Sequence, residues 1–141
     1  MTSPQLENLV KTGCLKAEPP SQSECDGLLH SAKVRLIDAC NTVLSMESRF
    51  DLAYNASHAL ALGALRWHGY RSDNRYIVFQ CLEHTLGTPP TVWRLLAQCH
   101  QLRNLSEYEG HLEVSDRLMA ELIEAVEAVQ EQVGAMTPIN A

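Results

Sequence analysis

The chain has 141 residues, of which 45% are hydrophobic and 20% charged, with a formal charge of -6 and a pI near 5.4. That length suits one compact domain burying roughly two thirds of its unfolded surface, and the composition is that of a globular chain rather than a disordered one. The acidic balance excludes a protein that holds duplex nucleic acid by its overall field, because such affinity comes from Lys and Arg neutralising phosphates; any RNA contact must be local.

The apolar stretches are broken every few residues by Asp, Asn, His or Arg, so none reaches the length of a bilayer span. The start, with Glu7 and no basic residue before Lys11, lacks the layout of a signal peptide. A cytoplasmic protein with no membrane contact is therefore expected. Cys14, Cys25, Cys40, Cys81 and Cys99 are odd in number and widely spaced, with no C-x-x-C pair. They predict reduced, mostly buried thiols rather than a disulfide framework or a structural zinc site.

In chain order, Ser3-Pro4 followed by residues 5–12 and Gly13 predicts a short helix with Pro at its first turn and Gly beyond its end. Residues 17–21, with Pro19-Pro20, read as a linker. Ser21-Gln22-Ser23-Glu24 has the form of a capping box; the helix it opens is expected to run to about Met46, burying Leu29, Leu36, Cys40 and Val43. From Glu47 to Trp67 the sequence is rich in Ala and Leu almost all the way round, which predicts a central helix with Gly69 at its C-terminal cap.

After the polar turn Arg71-Ser72-Asp73-Asn74, residues 76–86 carry Ile77, Val78, Phe79, Cys81 and Leu82. That run is too dense for period alone to separate helix from strand; its place among helices favours helix, ended by Gly87. Thr88-Pro89-Pro90 opens a helix to about Glu109, with Val92, Leu95, Leu96, Cys99 and Leu102 inward and Gly110 as its stop. Ser115 or Asp116 caps the last helix, whose Met119, Leu122, Val126, Val129 and Val133 form a coiled-coil-like seam for this bundle or for a second chain. The tail from Gly134 is expected to fray. The domain reading is an N-terminal short helix and linker over 1-22, a bundle over 23-135 and a flexible tail over 136-141.

Chemistry is suggested by polarity on helices that otherwise look buried. Asp51, Asn55 and His58 recur at helical spacing on the central helix, with Tyr54 beside them, and His100, Asn104 and Glu107 do the same on the helix after Pro90, accompanied by Arg103 and Tyr108. Arg, Glu, Tyr and His in one groove suit phosphodiester chemistry, since a guanidinium holds a phosphate with two hydrogen bonds and His moves a proton near neutral pH. The same residues also describe a purely structural network, with Arg103 and Glu107 as a helical ion pair and Asp51 as a counter-ion for Arg103.

A second feature is Arg66-Trp67-His68-Gly69-Tyr70-Arg71 followed by Arg75-Tyr76, the only locally basic stretch, with aromatics interleaved as in single-stranded RNA recognition. Its structural counterpart is a helix end whose Arg residues offset the dipole while Trp67 and Tyr70 pack inward. Cys81 and His84 are too few for a zinc site. No phosphate-binding Gly loop, Gly-x-Ser-x-Gly elbow or H-E-x-x-H helix occurs, so no metal or cofactor is expected.

The pattern Phe50-Asp51-Leu52-Ala53-Tyr54-Asn55-Ala56, then Ala59-Leu60-Ala61 and Arg66-Trp67-His68-Gly69-Tyr70, followed by Arg103-Asn104 and Glu107-Tyr108, resembles a HEPN domain of the small stand-alone bacterial kind over residues 23–135. The resemblance implies an all-α, four- to five-helix up-and-down bundle and a homodimer. It also implies RNA binding, and in many members a metal-independent endoribonuclease of a toxin-antitoxin or defence system. The family's catalytic pattern is an arginine followed by a polar residue and, a few positions on, a histidine. Arg103-Asn104 matches its first half; His111 is the next histidine, with seven residues between. Arg94 and His100 fit the spacing, but Leu95 follows Arg94.

On this resemblance Arg103, His111 and Glu107 are the expected catalytic residues, with Asn104, Tyr108, Asp51, Tyr54 and Asn55 binding substrate or supporting them. The alternative is a non-catalytic helical interaction module that partners a nucleotidyltransferase or a DNA-binding protein, with an antitoxin as a further candidate partner.

Overall fold

The computed structural model describes residues 3–139. It is an all-α bundle, as the sequence predicts, with one two-stranded ribbon as its only sheet among those residues. The elements in order are α1 (Pro4–Lys11), β1 (Lys16–Ala17), α2 (Gln22–Ala39), α3 (Met46–Trp67), β2 (Tyr70–Arg71), α4 (Arg75–Gln80), α5 (Leu82–Thr85), α6 (Pro90–Glu109) and α7 (Asp116–Gly134). No helix of the described residues is long and apolar enough to cross a membrane.

Helix α3 is the hub: Phe50, Ala53, Tyr54, Ala56, Leu60, Ala61, Ala64 and Leu65 are all buried, and α2, α4, α5, α6 and α7 each pack on it. Its small residues let the neighbouring helices approach closely. Gly63 shows this directly, because a Cβ there would lie 3.3 Å from the Leu29 side chain of α2. The α7 seam of Met119, Leu122, Val126, Val129 and Val133 is buried against α3 and α6, so it belongs to this chain's own core.

Helix α2 stops earlier than its apolar pattern predicts. It ends at Ala39 rather than near Met46, because Asn41 folds its side-chain oxygen back to the Val43 N–H at 3.0 Å and Ser45 accepts from the Ser48 N–H as the cap of α3. Leu36 is buried and Leu29 half-buried as expected. Cys40 and Val43, expected in the core, lie outside the helix and face solvent, Val43 at 90% exposure. Residues 76–86 are helical but broken at Cys81 into α4 and α5, with Val78, Phe79, Cys81 and Leu82 buried.

The segments before α2 and after α7 are tied down among the described residues. Strand β1 pairs antiparallel with β2, Lys16 opposite Arg71 and Ala17 opposite Tyr70, so the segment read as a linker begins in a ribbon. Half of the predicted capping box forms: Ser21 accepts from the Glu24 N–H at 3.2 Å. The Glu24 carboxylate turns instead to Arg66 and Arg71. Beyond α7, the Thr137 carbonyl accepts from Trp67 Nε1 at 2.7 Å and the Ile139 N–H donates to Gln22 Oε1 at 2.7 Å, so the tail expected to fray lies across α2 and α3 as far as Ile139. The remainder of the predicted tail, and the first two residues, lie outside the described residues.

Candidate functional site

The two polar stripes do meet. Helices α3 and α6 lie side by side, α4 closes one end, and their polar side chains form one continuous network. Asp51 Oδ1 accepts from Arg103 Nε at 2.9 Å, and Glu107 Oε1 lies 3.3 Å from Arg103 Nη2 one turn along α6. Tyr54, fully buried, places its hydroxyl 2.7 Å from His100 Nδ1 and accepts from Arg75 Nη1 at 3.1 Å. The same Arg75 nitrogen reaches Asn55 Oδ1 at 3.3 Å, while the Asn55 amide donates back to the Asp51 carbonyl at 2.9 Å. Asn104 sits one turn beyond His100, its amide nitrogen 3.2 Å from Nε2.

Both guanidiniums lie against the Tyr54 ring, Arg103 with Cζ 5.3 Å from its centroid and Arg75 with Cζ 5.6 Å away, within the range of cation–π attraction. His100 stacks on the same ring at 5.9 Å and 13°. Tyr54 is thus the hub of the site, and its oxygen is fixed because it is buried and bonded on two sides.

The electrostatics are uneven. The hydrogen bond to Asp51 holds the Arg103 guanidinium above its ordinary pKa, with Glu107 adding to the effect. Arg75 has no carboxylate within ion-pair distance among the described residues; its partners are a phenol and an amide oxygen. Burial, with Arg75 and Arg103 nearby, pushes the His100 pKa below its ordinary value and favours a neutral ring. Burial pushes His58, one turn along α3, down to about 4, with Arg75 and His100 contributing.

Of the residues singled out in the sequence, the structure unites Asp51, Tyr54, Asn55, Arg103, Asn104 and Glu107. It does not join Tyr108 or His111 to them. Tyr108 is 93% exposed at the end of α6, and His111 is exposed in the loop after Gly110, where α6 stops in a left-handed turn (φ 82°). Neither is hydrogen-bonded to Arg103 among the described residues. The histidine that enters the network is His100, already visible in the α6 stripe. Arg75 was legible only as part of the basic stretch; it reaches the site because α4 packs on both α3 and α6, which no local pattern announces.

The rest of that basic stretch is occupied. Arg66, 1% exposed, donates to the carbonyls of Glu18, Pro19 and Tyr70 and pairs with Glu18 at 3.3 Å and Glu24 at 3.2 Å. Arg71 pairs with the same two carboxylates. Burial, with the bond to Glu7 adding to it, pushes the Tyr70 phenol up to about 12. These residues fasten the N-terminal segment to the end of α3. Among the described residues no cluster of three or more His, Cys, Asp or Glu gathers as a metal site. Compared with known proteins, the chain matches no family model, no curated protein and no solved structure.

Proposed function

We propose that the polar network where α3, α4 and α6 meet binds the phosphodiester backbone of RNA, and that the chain is a HEPN-type RNA-binding protein with metal-independent ribonuclease activity. The observation that carries this reading is Arg75: a half-buried guanidinium, held by Tyr54 and Asn55 and paired with no carboxylate among the described residues, beside a second guanidinium and a neutral histidine. A phosphate entering there gains a charge partner that the fold does not supply. A neutral His100 is in the state a general base requires for taking a proton from a 2'-hydroxyl, and Arg103 would stabilise the charge that develops on the phosphate once drawn from Asp51.

A second reading is supported by a different observation. Arg103 is already shared between Asp51 and Glu107, and Leu105 and Tyr108 are exposed on the same helix. A non-catalytic interaction module would use the network to stiffen α3 against α6 and present the end of α6 to a protein partner such as a nucleotidyltransferase, a DNA-binding protein or an antitoxin.

Incubating a mixed cellular RNA pool with the protein in EDTA separates the two. Cleavage by wild type that is lost in Arg103→Ala and in His100→Ala supports the ribonuclease at this network, whereas loss in His111→Ala with His100→Ala active moves the acid–base role to the loop histidine. Absence of both cleavage and RNA binding by the folded wild type leaves the interaction module.

A further inference from the structure

Where α4 packs on α6, a second set of aromatic and cationic side chains gathers that the phosphate site does not use. Tyr76 follows Arg75 on α4, is 40% exposed, and packs edge-on against Trp93 of α6 with ring centroids 6.4 Å apart and planes at 84°. Arg94, exposed, lays its guanidinium over the Trp93 ring at 5.5 Å. The Trp93 indole N–H is buried without a hydrogen-bond partner among the described residues, so Trp93 serves the cluster by its rings alone and braces Tyr76 from beneath.

This cluster is continuous with the phosphate site. Arg75 ties the two together: its guanidinium belongs to the Tyr54 network while its neighbour Tyr76 belongs to the aromatic cluster. Along the α6 axis Trp93 lies ten residues, or about 15 Å at the helical rise, from Arg103. Arg75 and Arg103 meet at the Tyr54 ring, Arg94 lies over Trp93, and among the described residues the carboxylates paired with these three guanidiniums, Asp51 and Glu107, are both at Arg103.

We infer that Tyr76, braced by Trp93 and flanked by Arg75 and Arg94, is a stacking platform for an unpaired nucleobase of the RNA whose phosphates lie along Arg75 and Arg103. The inference rests on the RNA-binding reading and adds a subsite to it. An exposed phenol held rigid by a second aromatic loses little freedom when a base stacks on it, and the flanking arginines supply phosphate contacts on either side. A base inside a duplex cannot present its face to Tyr76, so the platform selects single strands.

The test is fluorescence anisotropy of an end-labelled single-stranded RNA of mixed sequence with 2'-O-methyl riboses, which lacks the hydroxyl that cleavage requires, and of the same strand annealed to its complement, at fixed salt. Wild type is expected to bind the single strand at least tenfold more tightly than the duplex. Tyr76→Ala is expected to lose about tenfold on the single strand and nothing on the duplex, while Tyr76→Phe, which keeps the aromatic face, restores the wild-type value. Circular dichroism of each variant establishes that it is folded. Equal affinity of wild type for both forms, or unchanged single-strand binding in Tyr76→Ala while Arg103→Ala binds weakly, overturns the platform and leaves a site that reads backbone alone. Failure of wild type to bind either RNA removes the RNA-binding reading itself, and the platform with it.

Discussion

The Tyr54 hydroxyl on α3 lies 2.7 Å from His100 Nδ1 on α6, and the two rings are stacked. Where the Asn104 amide donates to Nε2, the neutral imidazole carries its proton on Nδ1, and the Tyr54 oxygen accepts from both His100 and Arg75. Tyr54→Phe removes that acceptor while keeping the ring. It is expected to destabilise the fold by about 1 kcal/mol in urea denaturation. It is also expected to disturb the His100 ring resonances in NMR; unchanged stability and unchanged resonances would show that the bond does not organise the site.

Acid should loosen the bundle through its half-buried histidines. His58 titrates near 6.5 when unfolded and is pushed down to about 4 in the fold by burial, with Arg75 and His100 adding to it. Below pH 6.5 the unfolded chain therefore binds a proton that the folded chain refuses. The stabilisation is full above pH 6.5 and is lost as pH falls toward 4, by on the order of 3 kcal/mol for this group. His100 shifts in the same direction. His58→Leu should flatten the pH dependence of the denaturation midpoint across that window; an equally steep profile in the variant would place the acid sensitivity elsewhere.

Arg66 is a buried cation whose removal strands Glu18 and Glu24 beside three carbonyls that lose their donor. Because the two carboxylates keep some solvent contact and retain Arg71, Arg66→Met is expected to cost about 3 kcal/mol, at the low end for breaking a buried ion pair. Amide exchange should rise at residues 16–24 before it rises in α3. Loss of protection throughout the bundle at once would mean that the N-terminal segment and the core unfold as a single unit.

The α7 seam is a core element of one chain, so Leu122→Ala should lower stability by about 2–5 kcal/mol. The thermal midpoint of the variant and of the wild type should not depend on protein concentration through this seam. A midpoint that climbs with concentration in the wild type and ceases to climb in Leu122→Ala would instead assign the seam to a dimer interface.

Val43 and Leu36 test the end of α2. Val43→Asp, at a solvent-facing loop position, is expected to change stability by less than about 0.5 kcal/mol, and Leu36→Ala to cost about 2–5 kcal/mol. A helix continuing to Met46 with Val43 buried would reverse that order in a denaturant titration.

Local chemistry determined much of this protein from its sequence. The apolar periods of α3, α6 and α7, the stops at Gly69 and Gly110, and the caps at Ser21 and Ser115 are set by interactions within a turn or two, and each appears where the residues predict it. The polar stripes on α3 and α6 were legible for the same reason, since helical spacing alone aligns Asp51 with Asn55 and His100 with Asn104 and Glu107. Tertiary structure decided what periodicity cannot encode. The apolar pattern of α2 continues past Ala39, but Arg49, brought back by α3, donates from Nε to the Ala39 carbonyl at 2.8 Å where the helix ends, and Val43 is left in water. The basic run from Arg66 to Arg75 is uniform as sequence, yet folding gives Arg66 and Arg71 to two glutamates about fifty positions earlier and sends Arg75 to Tyr54. The partner of a charge is chosen by which helices pack together, and that choice depends on the whole bundle burying its apolar surface at once.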